Sequence, residues 1–178
     1  MRAGVRLAID VGKARIGVAR CDPHAMLATP VETVARVSNG DTDIARLVEL
    51  VGDVEAFEVV VGLPLGLGGH RTPSTDDAEE FAKRLVRALG ATAATERPVA
   101  VRLVDERLST VAAQSNLRAA GRNTKQSRNV IDQAAAVVIL EHALEMERGL
   151  GRPPGTVVES QTIEHNQDAP PAEESDPA

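Results

Sequence analysis

Apolar and polar positions along this chain follow two different periods, one of strands and one of helices. Val5 to Asp10 and Ile16 to Cys21 are short, apolar, β-prone runs separated by Val-Gly-Lys-Ala-Arg, and they predict a hairpin. Pro30 to Val34 predicts a third strand. After Asp41, a good N-cap, Ile44, Leu47, Val48 and Val51 recur at helical spacing until Gly52. Phe57 to Val61 is a compact apolar run bounded by Gly62 and Pro64, as expected of a parallel strand buried on both faces. Ser74 to Leu89 predicts a second helix, capped by Ser74 or Thr75. It is acidic at its start (Asp76, Asp77, Glu79, Glu80), basic at its end (Lys83, Arg84, Arg87) and stopped by Gly90. Val99 to Val104 predicts a fifth strand, Ser109 to Ala119 a third helix and Ser127 to Arg148 a last one. The stretch Ala134 to Leu140 is apolar on every side, as suits a helix pressed into the body of a domain. The order β-β-β-α-β-α-β-α-α predicts an α/β fold whose mixed five-stranded sheet, antiparallel through its first three strands and parallel at the fourth and fifth, is flanked by helices.

Composition narrows the picture. The chain has 178 residues, enough for one well-buried domain and a tail. It is 43% hydrophobic with two Phe and neither Trp nor Tyr, so its core must be aliphatic, and a binder that stacks bases on aromatic rings is disfavoured. No apolar run approaches the roughly 20 residues that cross a bilayer, and the stretch before Asp10 is far short of the roughly 7–15 of a secretory core. The expectation is a cytoplasmic protein with no membrane partner. The single cysteine, Cys21, excludes an intramolecular disulfide and a cysteine metal cluster, and reads as a small apolar filler or a surface thiol near a turn. Gly149 to Ala178 holds five of the ten prolines with many acidic and amide residues, so residues 1–148 are expected to form the domain and 149–178 a disordered acidic tail.

The net charge of −6 is uneven: residues from Arg152 onward carry −5 and the body only −1. Within the body, Arg102 to Arg128 sums to +4, with Asp105 and Glu106 embedded among Arg102, Arg107, Arg118, Arg122, Lys125 and Arg128. Phosphate binding responds to local charge, so this stretch is a candidate nucleic-acid contact, although a solvated helical face would look the same.

Three carboxylates stand where chemistry would need them. Asp10 ends the first strand before a glycine turn, Glu106 ends the fifth strand beside Asp105, and Asp132 lies in the first turns of the last helix. Open α/β sheets bind ligands at the carboxyl ends of their strands. Each acid alone has a plain structural reading: a turn cap, an ion pair with Arg102 or Arg107, a helix N-terminal charge. Crowded together they would repel, and a divalent cation would relieve them. Oxygen ligands without His or Cys select Mg²⁺ or Mn²⁺, and two such ions about 4 Å apart can activate water and steady the leaving oxygen of a phosphodiester. The glycines Gly62, Gly66, Gly68 and Gly69 fit no nucleotide-loop pattern and read as a loop flanking this edge.

Four segments carry a family resemblance: Leu7-Ala-Ile-Asp-Val-Gly-Lys-Ala-Arg-Ile-Gly-Val-Ala19, Val59-Val-Val-Gly-Leu-Pro-Leu65, Val104-Asp-Glu-Arg-Leu-Ser-Thr-Val-Ala-Ala113 and Val130-Ile-Asp-Gln-Ala-Ala-Ala-Val-Val-Ile-Leu140. In this order they resemble the YqgF family, also called RuvX, from Arg6 to about Glu147. The family has an RNase H-like fold and is described as Holliday junction resolvases and as nucleases maturing the 5′ end of pre-16S rRNA. The resemblance implies that Asp10, Glu106 and Asp132 are the acidic metal-binding and catalytic positions, with Asp105 a less certain ligand. Family members often follow Gly-Leu-Pro-Leu with Asn and a short turn, whereas this chain has Gly66-Leu-Gly-Gly-His70, and it adds the acidic tail.

The leading expectation is a Mg²⁺- or Mn²⁺-dependent nuclease using two ions, with Arg107, Lys125 and Arg128 on the substrate backbone. Precursor rRNA is the favoured substrate. A four-way DNA junction needs two symmetric cuts and so a homodimer, for which no dimerising element is evident. A kinase of the actin type would need two lobes where this chain has room for one. A non-catalytic RNA-binding module would have no use for the three acids.

Overall fold

The computed structural model describes residues 1–66, 68–93, 95, 97–106 and 125–159, the side chains of 125–128 excepted. Its strands are β1 (Arg6–Val11), β2 (Arg15–Cys21), β3 (Ala28–Ala35), β4 (Glu58–Leu63), β5 (Ala100–Asp105) and β6 (Thr156–Val157); its helices are α1 (Thr42–Asp53), α2 (Pro73–Ala91) and α3 (Lys125–Leu150). They build one six-stranded sheet in the order β3-β2-β1-β4-β5-β6. β1, β2 and β3 are antiparallel neighbours, whereas β1, β4 and β5 run parallel. The mixed sheet is as the sequence predicts, with one strand more.

That sixth strand corrects the domain boundary. Thr156–Val157 pair antiparallel with Leu103 and Arg102, and Arg102 Nε donates to the Pro154 carbonyl at 2.6 Å. The start of the segment expected to be tail therefore extends the sheet, and residues 160–178 lie outside the described residues. The helix expected at Ser109 to Ala119 lies outside them too.

The strands are apolar on both faces because both are covered. Leu7, Ile9, Ile16, Val18, Val59 and Val61 pack with Ile44, Leu47 and Val51 of α1 and Phe81 and Leu85 of α2. On the other face Ala8, Ala19 and Val60 meet Ala136, Ile139, Leu140, Ala143 and Leu144 of α3. Small residues on both sides of this second layer (Ala8 and Ala19 of the sheet, Ala136 and Ala143 of α3) let the helix lie close to the sheet. Cys21 belongs to this layer and is buried, which is the filler role of the two expected and not that of a surface thiol. α2 begins slightly earlier than predicted: Thr72, two residues before Ser74, is its N-cap, Pro73 takes the first helical position, and Thr72 and Thr75 exchange a capping box. No described helix is long and apolar enough to cross a membrane.

Candidate active site

The carboxyl ends of β1, β4 and β5 meet on the α3 side of the sheet, and two missing side chains shape the place. Asp10 pairs across β2 with Gly17, and one residue before it Ile9 pairs with Val61, which sets Asp10 beside Gly62. A Cβ at Gly17 would collide with the Asp132 carbonyl, so glycine there lets α3 approach within backbone contact of β2. A Cβ at Gly62 would collide with Glu106 Oε1 and Ile139 Cδ1, so glycine there opens the cradle that the Glu106 carboxylate fills. The start of α3 is further fixed by Thr33, whose hydroxyl donates to the Asn129 carbonyl at 3.1 Å and accepts from Gln133 Nε2 at 3.2 Å.

Burial pushes the Asp10 carboxyl up to about 6, and the negative charge of Asp132 adds to the shift. Glu106 is pushed up to about 7, by burial first and then by Asp10 and Asp105. Asp10 is thus the middle member of an anionic row, feeling Asp132 on one side and felt by Glu106 on the other. The alternation of β5 sets Asp105 in phase with Val101 and Leu103, which face α1 and α2, while Glu106 follows Val104 on the α3 side.

The third acid is held differently. Arg15 Nε donates to Asp132 Oδ2 at 2.6 Å, with the two side chains 32% and 23% exposed. The apolar runs alone put Arg15 in the turn between the first two strands. The structure makes it the first residue of β2, and counting back by twos from Ala19 and Gly17 places it on the face of Asp10. That count was the available signal.

The structure therefore brings Asp10, Glu106 and Asp132 to one sheet end. It does not close them into a ready-made cage: among the described residues no three His, Cys, Asp or Glu side chains lie close enough together to hold a metal ion. Among the described residues the acidic donors here are carboxylate oxygens, in a cradle cleared by Gly62, and that chemistry fits a hard divalent cation. Of the expected substrate contacts, Lys125 and Arg128 lie in the first turn of α3 with side chains outside the described residues, and Arg107 lies outside them altogether.

Comparison with known proteins agrees with this architecture. A model of the RuvX family, described as Holliday junction resolvase, matches residues 4–146. A protein of Clavibacter sepedonicus named "Putative pre-16S rRNA nuclease" is 55% identical over 169 residues, covering 95% of this chain and 100% of the relative. One of the same name from Streptomyces coelicolor is 53% identical over 161 residues, covering 89% and 90%. Thermus thermophilus RuvC in complex with a Holliday junction substrate superposes with a TM-score of 0.54 at 15% identity, over 87% of this chain and 99% of that one, a likeness of fold. Matched over most of its length by the family model and at more than half its positions by near full-length relatives, the chain belongs to the RuvX family.

Proposed function

We propose that this protein is a divalent-metal-dependent endonuclease of the cytoplasm that hydrolyses phosphodiester bonds in structured RNA, acting on precursor 16S rRNA. The observation that carries this reading is the pair Asp10 and Glu106, whose acidity is set by burial and by neighbouring carboxylates at the carboxyl ends of parallel strands. Two such groups favour a bound cation. Asp10 and Glu106 would hold it, and Asp132 would join them when freed from Arg15. A divalent ion there supplies Lewis acidity toward the scissile phosphate and lowers the pKa of water. The chain's own residues do the rest: the carboxylates orient the site, the close approach of α3 shields it, and Lys125, Arg128 and Arg107 would grip the substrate backbone. The shared name of the near full-length relatives favours RNA over a four-way junction.

The test is cleavage of a precursor rRNA and of a synthetic four-way junction by wild type and Asp10→Asn, with Mg²⁺ and with EDTA. Wild type with Mg²⁺ should trim the RNA, and both EDTA and the substitution should lower the rate at least about a hundredfold, as befits removal of a metal ligand. Equal product from the two proteins, or indifference to EDTA, would refute the mechanism. Junction cutting by a homodimer in place of RNA trimming would move the substrate to DNA.

A further inference from the structure

Among the described residues one basic side chain sits on the acidic row, and it is bound to a carboxylate that the proposed reaction needs. Arg15 shares the α3-side face with Gly17 and, across the hairpin, with Asp10. Its anchoring is rigid on the backbone side: the Arg15 carbonyl accepts from Gly12 N at 2.9 Å, and the neighbouring Ala14 carbonyl accepts from Arg36 N at 3.0 Å. Its side chain is one-third exposed and is tied to Asp132 through Nε at 2.6 Å. Among the described residues the Arg15 side chain makes this hydrogen bond through Nε, not through the terminal nitrogens. A guanidinium in this position supplies the charge that Asp132 otherwise lacks. Bound in this way, Asp132 has Oδ2 committed to Arg15, and among the described residues no three acids lie close enough together to hold a metal ion.

We infer that Arg15 is an exchangeable stand-in for the cation at Asp132: it neutralises this carboxylate while the site is empty, and on metal binding it releases Asp132 and turns to the phosphodiester of the substrate. The inference rests on the proposed metal-dependent reading of the site. It differs from a purely structural role in the sign of its effect. If Arg15 only braced α3 against the hairpin, its loss would loosen the acids and weaken metal binding. As a competitor for Asp132, its loss strengthens binding.

The experiment is calorimetric titration of Mn²⁺ into the full chain without nucleic acid, for wild type, Arg15→Gln and Asp10→Asn, with circular dichroism to confirm folding. Arg15→Gln is expected to bind Mn²⁺ more tightly, by roughly fivefold for a partly exposed ion pair removed from competition, while its affinity for RNA in Ca²⁺ falls and its salt dependence flattens. Unchanged or weaker Mn²⁺ binding by folded Arg15→Gln overturns the inference. If wild type binds Mn²⁺ and Asp10→Asn does not, the metal reading survives that failure; if no protein binds Mn²⁺, the metal reading itself fails. Should Arg15→Gln not fold, the wild type answers the same question. Its Arg15 Nε–H resonance should be protected in EDTA and shift or vanish on Mg²⁺ addition, and a resonance indifferent to Mg²⁺ that still moves the Asp10 amide contradicts the exchange.

Discussion

Buried carboxylates occur at both ends of the sheet, and the protein treats them in opposite ways. At the amino ends of β1 and β4, Glu58 is fully buried, and Arg2 grips it with two bonds of 2.8 and 2.9 Å while Arg6 Nε reaches it at 3.2 Å. Arg2 and Arg6 also bind Glu147 of α3, at 2.8 and 3.0 Å, and Arg6 stacks on Phe57 with its guanidinium carbon 4.6 Å from the ring centroid. Burial alone would push Glu147 up, but these hydrogen bonds and positive charges bring it down to about 2. At the carboxyl ends the balance is reversed, and Asp10 and Glu106 stand at about 6 and about 7. Arginines bring the buried acid down at one end, whereas at the other burial and neighbouring carboxylates hold Asp10 and Glu106 up. Strained electrostatics of this kind cluster at working sites.

The strongest way to break the comparison is to remove an arginine from the matched end. Arg6→Met keeps the volume but leaves Glu58 and Glu147 short of charge, and it should destabilise the protein by about 3–5 kcal/mol in urea unfolding. A loss below about 1 kcal/mol would mean that the network contributes packing alone. The opposite sign is expected at the other end. The folded-state pKa of Asp10 lies above its unfolded value, so the folded protein binds the extra proton, and stability is lost as pH rises from about 4 through about 6. Asp10→Asn escapes this penalty, so at pH 8 without metal it should be more stable than wild type by about 1–3 kcal/mol, converging with it near pH 4. Glu147 behaves conversely: its contribution is present above its unfolded pKa and fades as pH falls toward about 2. A pH series of unfolding curves on both proteins separates the two ends.

Much of this was legible in the sequence because it is local. The apolar runs that make β1, β2, β4 and β5, the all-apolar middle of α3 and the position of Asp10 at a strand end can be read within windows of about ten residues. The matched network could not be read that way, since Arg6 meets Glu147 across 141 positions and Glu58 across 52. Two charged residues inside apolar strand starts look like boundaries until their partners arrive. β6 was hidden for the same reason: two residues in a proline-rich acidic stretch become a strand only because β5 offers an edge and Gly155, at a φ of +60°, turns the chain onto it. Gly62 looked like a strand terminator, whereas its lack of a Cβ is what seats Glu106.

The most direct test of the carboxylate site is a crystal of the full chain soaked in Mn²⁺ and measured at the manganese absorption edge. An anomalous peak between Asp10 and Glu106, absent in Asp10→Asn, is the expected result. A wild-type protein that cleaves RNA while its manganese binds only elsewhere would contradict it.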